Sequence, residues 1–126
     1  MKVRRITQLL VVDAIEPVLP MWKDALGFAV LVEVPEGDRL GFALLMRDDQ
    51  QIMLQTKASL VKDIPAVAAL DPESLSYLDV DSLDDAAAAM KGAEVLVPRR
   101  TTFYGAHEIF YRLASGHVVA VAQHDS

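Results

Sequence analysis

Two carboxylates with aromatic neighbours, Asp79 two residues from Tyr77 and Glu108 two residues from Phe110, are the groups of this sequence best suited to chemistry. If both entered one apolar pocket, one could have a raised pKa and act as a base without a metal. The plainer fate of such residues is an ion pair, and Arg112 is the basic neighbour at hand. The histidines offer less. His107 opens a strand, His117 sits beside the last turn and His124 lies near the C-terminus. No two of them stand at the i, i+4 spacing that lets a helix chelate a metal, so each reads as a surface or hydrogen-bonded residue. Thr101 and Thr102 precede His107, but no acidic residue can be placed from sequence to orient a Thr–His pair, and they read as turn residues. Cysteine is absent, which removes disulfides, thiolate nucleophiles and thiolate metal sites.

The elements that must position these groups come in two similar sets. Ile6 to Val12 is short, rich in Leu and Val and closed by Asp13, as a strand would be. Val18, Trp22, Ala25 and Leu26 then fall on one side of a helix over Glu16 to Leu26, with Pro17 in its first turn, Gly27 as its left-handed stop and Pro20 distorting its start. Strands follow at Phe28 to Val34, Leu40 to Met46 and Gln51 to Gln55, separated by Pro35-Glu36-Gly37-Asp38 and Arg47-Asp48-Asp49. Residues 58–73 read as a linker with a short helix. The pattern then repeats: a strand at Leu75 to Val80, a helix at Leu83 to Met90 stopped by Gly92, and strands at Glu94 to Val97, Glu108 to Leu113 and Val118 to Ala122. The modules span about 5–57 and 74–124 of a single domain.

Alternation along the strands separates two faces, because successive side chains point to opposite sides of a sheet. Leu10, Val12, Ile52, Leu54, Leu78, Val80, Val119 and Val121 form an apolar face suited to covering by helices. Thr7, Leu9, Met53, Gln55, Leu75, Tyr77, Asp79, Val118 and Ala120 form a mixed one, with the composition of a pocket wall. With Met53 aligned to Ala120 across the repeat, Ala43 pairs with Phe110 and Leu45 with Arg112. That places Glu108, Phe110 and Arg112 on the mixed side. The same composition would also suit a partly exposed sheet face or a dimer contact.

The sequence resembles the vicinal oxygen chelate superfamily, which includes glyoxalase, the bleomycin-resistance proteins and the extradiol dioxygenases. The resemblance rests on Val11-Val12-Asp13-Ala14-Ile15-Glu16 with Met21-Trp22-Lys23-Asp24-Ala25-Leu26-Gly27-Phe28, on Tyr77-Leu78-Asp79-Val80-Asp81, and on Tyr104-Gly105 followed by Glu108, Phe110 and Ser115-Gly116. It covers nearly the whole chain. Where the family usually has Asp-Pro before the last turn, this chain has Leu113-Ala114. The resemblance implies an α+β fold of two βαβββ modules forming a curved mixed sheet with helices packed on the outer face.

Enzymatic members use four metal ligands, usually His or Glu, one on each of four inner strands. The matching positions here fall on Thr7, or on Gln8 if the alignment slips by one, and on Met53, Leu75 and Ala120, none of which supplies an imidazole or carboxylate. No metal, cofactor or catalytic residue is therefore assigned. The resemblance instead implies a metal-free small-molecule-binding protein similar to the drug-sequestering bleomycin-resistance proteins. Its ligand-binding set is Thr7, Met53, Gln55, Tyr77, Asp79, Phe103, Tyr104, Glu108, Phe110 and Arg112, with the aromatic rings stacking on a cationic or aromatic ligand and Asp79, Glu108 and Gln55 hydrogen-bonding it. Two alternatives stand beside this: a glyoxalase-like isomerase, lyase or dioxygenase with a displaced metal site, and a module whose mixed face is buried by a protein partner. Family members commonly form dimers, so a homodimer is expected.

Charge and hydropathy narrow the partners. A net charge of −6 with no long basic stripe repels a phosphate backbone, so nucleic-acid binding is not expected. No stretch approaches a membrane span, and the apolar run after Met1-Lys2-Val3-Arg4-Arg5 ends at Asp13 without a small-residue cleavage site. A cytoplasmic protein is the expectation.

Overall fold

A computed structural model describes residues 1–125. The chain is α+β, with eight strands paired both parallel and antiparallel and a few short helices. It divides into two compact units, Gln8–Ser74 and Met1–Thr7 with Leu75 onward, so strand β1 (Val3–Val12) contributes to both.

In the Gln8–Ser74 unit the strand order is β2-β3-β4-β1, with β2 at Ala29–Glu36, β3 at Arg39–Arg47 and β4 at Gln50–Thr56. β1 and β4 run parallel; the other pairs are antiparallel. The helix expected over Glu16 to Leu26 is continuous but irregular, a 3₁₀ piece at Glu16–Val18 running through helical Leu19 and Pro20 into a π-helical piece at Met21–Ala25. Pro20 stands where the pitch changes, itself helical at φ −57° and ψ −36° but with no N–H to donate to the ladder. The second piece closes with Leu26 N–H donating to the Met21 carbonyl at 3.0 Å. Gly27 then takes φ +72°, the left-handed conformation glycine adopts without a Cβ clash. Ile15, Ala43, Leu45, Ile52 and Leu54 form this unit's core, with Leu10, Val12 and Trp22 packed against it and Trp22 meeting Phe28 edge-to-face at 5.3 Å. After β4 come two short helices, α1 (Lys57–Asp63) and α2 (Pro65–Ala68), where one was expected. Thr56 caps α1, its Oγ1 accepting from Ser59 N–H at 3.1 Å.

In the other unit the order is β1-β5-β8-β7-β6, with β5 at Ser74–Val80, β6 at Glu94–Thr101, β7 at Ala106–Arg112 and β8 at Val118–His124. β5 and β8 are parallel, and β8–β7 and β7–β6 antiparallel. Helix α3 (Leu83–Ala89) begins at Ser82, whose Oγ accepts from Asp85 N–H at 3.2 Å. Leu83 and Ala86 of α3 share a core with Val80, Ile109, Tyr111 and Val121, and Leu78 and Val119 pack against it. The eight residues read as the helix-covered face therefore all lie against the two helical cores.

The repeat alignment, in contrast, is one residue out in β3. Ala43 and Leu45 belong to the helix-side core, and the residue paired with Met53 is Leu44. The cause is the turns. Arg47 pairs with Gln50 across the two-residue turn Asp48-Asp49, whereas β7 and β8 are joined through Leu113 N–H donating to the His117 carbonyl at 2.9 Å, with three residues between them. One extra turn residue moves every equivalence to the other face.

Candidate functional site

Strand pairing in the Leu75-onward unit lays the mixed face out in rows. Tyr77 pairs with Ala120 and Ala120 with Phe110; one step on, Asp79 pairs with Ala122 and Ala122 with Glu108, which pairs in turn with Arg100 on β6. Residues paired across neighbouring strands share a face, so aromatic rings, two carboxylates and a guanidinium meet on the side opposite α3.

Glu108 is the centre of this arrangement and is wholly buried, at 0% exposure. A buried carboxylate needs donors, and four reach it. Arg100 Nε and Nη2 donate to Oε1 at 3.1 and 2.9 Å, while the Tyr77 and Tyr104 hydroxyls donate to Oε2 at 2.5 and 2.9 Å. Both Arg100 nitrogens meet the same oxygen, in charge-assisted hydrogen bonds that leave Oε2 to the two tyrosines. Burial, and then the negative charge of Glu108, pushes both phenol groups far above the usual tyrosine range, so each remains a hydrogen donor. Arg100 also lies over the Phe110 ring, with Cζ 5.4 Å from its centroid. His124 closes the far side: its Nε2 lies 3.5 Å from the Tyr77 hydroxyl, and its ring stacks on Tyr104 with centroids 6.4 Å apart.

Of the expected site residues, Tyr77, Tyr104, Glu108 and Phe110 come together here. Arg112 does not. It holds Glu94, through Nη2 at 2.9 Å and Nε at 3.3 Å, because Arg112 pairs with Val118 and Glu94, two rows away from Glu108. The basic partner of Glu108 is Arg100, in a stretch read from sequence as lying beyond the strand that ends at Val97. Phe103 is 89% exposed at the β6–β7 turn and touches Tyr104 edge-to-face at 5.1 Å. Asp79 shares a row with Glu108, and its Oδ1 is buried with no hydrogen-bond partner among the described residues. Thr7 is buried. In the Gln8–Ser74 unit, Met53 is half-buried on β4 and Gln55 donates through Nε2 to Ser59 Oγ at 3.0 Å.

Two further groupings lie apart from the Glu108 cluster. Thr101 and His107 are paired across β6 and β7, with Thr101 Oγ1 3.1 Å from Nδ1 and Asp125 Oδ1 3.1 Å from Nε2. Asp125 is thus the acidic orienter that could not be placed from sequence, although its side chain is largely in solvent. In the Gln8–Ser74 unit a cleft of about 580 Å³ opens at the end of β1, lined by Val11, Asp13, Pro17, Lys57, Asp71 and Glu73 among others. Lys57 Nζ stands between Asp13 and Asp71, at 3.6 and 3.9 Å. None of the expected site residues lines this cleft.

The four positions that the resemblance aligns with metal ligands do not fit a divalent cation. Leu75 and Ala120 are buried and offer no donor atom, Thr7 offers a hydroxyl and Met53 a thioether. Among the described residues, no three His, Cys, Asp or Glu side chains gather to hold a metal elsewhere. No helix of the described residues is long and apolar enough to cross a membrane.

Solved structures with the same fold are numerous at low identity. A glyoxalase/bleomycin resistance protein/dioxygenase superfamily member from Vibrio splendidus 12B01 is 17% identical over 94% of this chain and 97% of its own, with a TM-score of 0.72. Methylmalonyl-CoA epimerase from Mycobacterium tuberculosis is 18% identical over 98% of this chain and 90% of its own, at 0.72. A methylmalonyl-CoA epimerase bound to methylmalonyl-CoA and NH4+ is 16% identical over 99% of this chain and 97% of its own, at 0.71. No protein-family model matches the sequence, and no curated protein does. At these identities the likeness establishes the fold, which is that of the vicinal oxygen chelate superfamily; function must be argued from the site.

Proposed function

We propose, on the premise that this chain has the glyoxalase/bleomycin resistance protein/dioxygenase fold, that it is a small-molecule-binding protein that works without a metal ion, similar in this to the drug-sequestering bleomycin-resistance proteins. The observation that carries the reading is a replacement on one sheet face. Leu75 and Ala120, at two of the family's ligand positions, have no donor atom, while the same face carries the Tyr77, Tyr104, Arg100 and Glu108 network. Without a cation to polarise a carbonyl or hold an enediolate, the main electrostatic aid of the superfamily's metal-dependent reactions is lacking. The Glu108 network holds its carboxylate in donors and cannot replace a Lewis acid. What this face can offer is recognition: aromatic rings for planar groups, with polar groups fixed in place by one another. In this reading the chain acts as a homodimer in the cytoplasm.

Native mass spectrometry of the purified protein, with and without EDTA, tests the reading. A dimer free of stoichiometric metal is expected, and any ligand it retains should survive EDTA. Phe110→Ala should weaken a retained ligand by about tenfold or more, as loss of a buried aromatic contact does at a binding hot spot. Epimerisation of methylmalonyl-CoA, the reaction named for two proteins of this fold, should be absent with and without added divalent metal. A stoichiometric metal whose removal abolishes an activity would put the displaced-site enzyme first.

A further inference from the structure

Glu108 has no capacity left for a ligand, since Arg100 occupies one carboxylate oxygen and two tyrosine hydroxyls the other. Asp79 differs. It lies in the same row, with Ala122 paired between it and Glu108, and its Oδ1 is buried without a donor among the described residues. A buried carboxylate oxygen left unpaired is costly, and in native proteins such a group is accounted for by a functional role, a bound partner, or an ordered water or ion.

An aromatic series runs beside it. Tyr77, two residues back on the same face of β5, lies 6.1 Å from the His124 ring; His124 stacks on Tyr104, and Tyr104 meets Phe103. Tyr104 and Phe103 both present ring surface to solvent, at 52% and 89% exposure. Aromatic faces attract cations, and a carboxylate beside them adds charge and a hydrogen-bond acceptor. The chain's net charge of −6 draws cations toward it from solution.

We infer that, granted the small-molecule-binding reading on which this rests, the ligand of this face is a flat organic cation whose N–H group donates to Asp79 Oδ1 while its ring system lies against Tyr104 and Phe103. The Asp13, Asp71 and Glu73 cleft is a weaker candidate for the same chemistry, because Lys57 already stands between two of its carboxylates.

Benzamidine, a flat cation with N–H donors, and benzamide, its neutral near-isostere, test the inference by amide NMR titration of the full chain. Benzamidine should shift the amides of Tyr77 to Asp81, Phe103, Tyr104 and Ala122 to His124, with a dissociation constant about tenfold or more below that of benzamide. Asp79→Asn should abolish that difference, leave benzamide unchanged and keep Tm unchanged or raised, since Asp79 Oδ1 has no hydrogen-bond partner among the described residues. Equal affinity of the two probes at those amides, or an Asp79→Asn variant that still prefers benzamidine, overturns the inference and leaves the small-molecule reading standing. No shift at those amides from either probe, up to the solubility limit, overturns both. A lower Tm for Asp79→Asn would show that Asp79 has a structural partner, and that too overturns the inference.

Discussion

The row that holds Glu108 has a counterpart in the other unit, and the two are built from opposite chemistry. Asp79, Ala122, Glu108 and Arg100 are linked by strand pairing in one unit; Val11, Gln55, Phe42 and Val34 are linked in the same way in the other. The neighbouring rows differ less: Tyr77, Ala120, Phe110 and Val97 against Leu9, Met53, Leu44 and Val32. A single row has exchanged apolar residues for two carboxylates and a guanidinium. The scaffold does not require these charges, since an equivalent row is formed without them. A buried ion pair is a weak source of stability, because desolvating two charges consumes most of what their attraction returns. The charges therefore point to recognition or specificity more than to folding.

The largest effect should come from breaking the ion pair on one side. Arg100→Val, which installs the residue of the counterpart row, leaves Glu108 buried without its cation and should cost about 3–5 kcal/mol, measured by urea unfolding. Glu108→Phe combined with Arg100→Val copies two positions of that row. The double variant should be more stable than Arg100→Val alone, since apolar replacement of both partners is often neutral or favourable. If the double variant is the less stable, the charges are structural and the contrast between the rows loses its functional meaning.

Next are the two hydroxyls. Tyr77→Phe removes a buried donor to a charged acceptor and should cost about 1.5–3 kcal/mol. Tyr104→Phe should cost less, because Tyr104 is half-exposed and water can replace its hydroxyl. Equal losses would mean that Tyr104 is as sequestered as Tyr77.

The same groups fix a pH dependence. Burial and Glu108 raise the Tyr77 and Tyr104 pKa values, while in the unfolded chain both hydroxyls ionise near their ordinary pH of about 10. Above that pH the folded chain binds more protons than the unfolded one, so stability is full below about pH 10 and falls as pH rises beyond it. Tyrosinate absorbance at 295 nm should therefore appear together with loss of near-ultraviolet circular dichroism. Tyr77→Phe should make the alkaline decline shallower. Reversible tyrosine ionisation near pH 10 in folded protein would contradict the network.

How much of this was legible in the sequence depends on whether a residue's place follows from local pattern. Alternation separated Leu78 and Val80 from Tyr77 and Asp79, and Gly27 and Gly92 marked the helix ends, because both signals are read within a few residues. Arg100 was hidden. β6 shifts register between Val95 and Val97 and again between Val97 and Arg100, with Pro98 between, so simple alternation does not carry past Val97. The signal that could have found it is the Arg99-Arg100 pair, whose members must face opposite ways if the strand continues. Arg99 indeed meets Asp84 at 2.5 Å, and Arg100 meets Glu108. The meeting of Asp125 with His107 was out of reach for another reason: it joins positions 18 apart through the pairing of β7 with β8, and sequence spacing does not encode it.

The smallest expected difference again compares equivalent positions, the glycines after each unit's first helical segment. Gly27 and Gly92 both have positive φ, +72° and +99°, so an alanine at either is strained. Their surroundings differ. A Cβ on Gly27 would come within 2.3 Å of Arg47 Nη1, which donates to the Leu26 carbonyl at 2.7 Å, whereas a Cβ on Gly92 would meet nothing within 4 Å. Gly92→Ala should thus cost only the backbone term, about 1 kcal/mol. Gly27→Ala adds displacement of the Arg47 cap and should cost roughly 0.5–1 kcal/mol more. Replacing Arg47 by Met beforehand should bring the two glycine variants to the same loss, because the flexible guanidinium is the group in the way. A Gly27→Ala cost that persists in the Arg47→Met background would place the strain in the backbone alone.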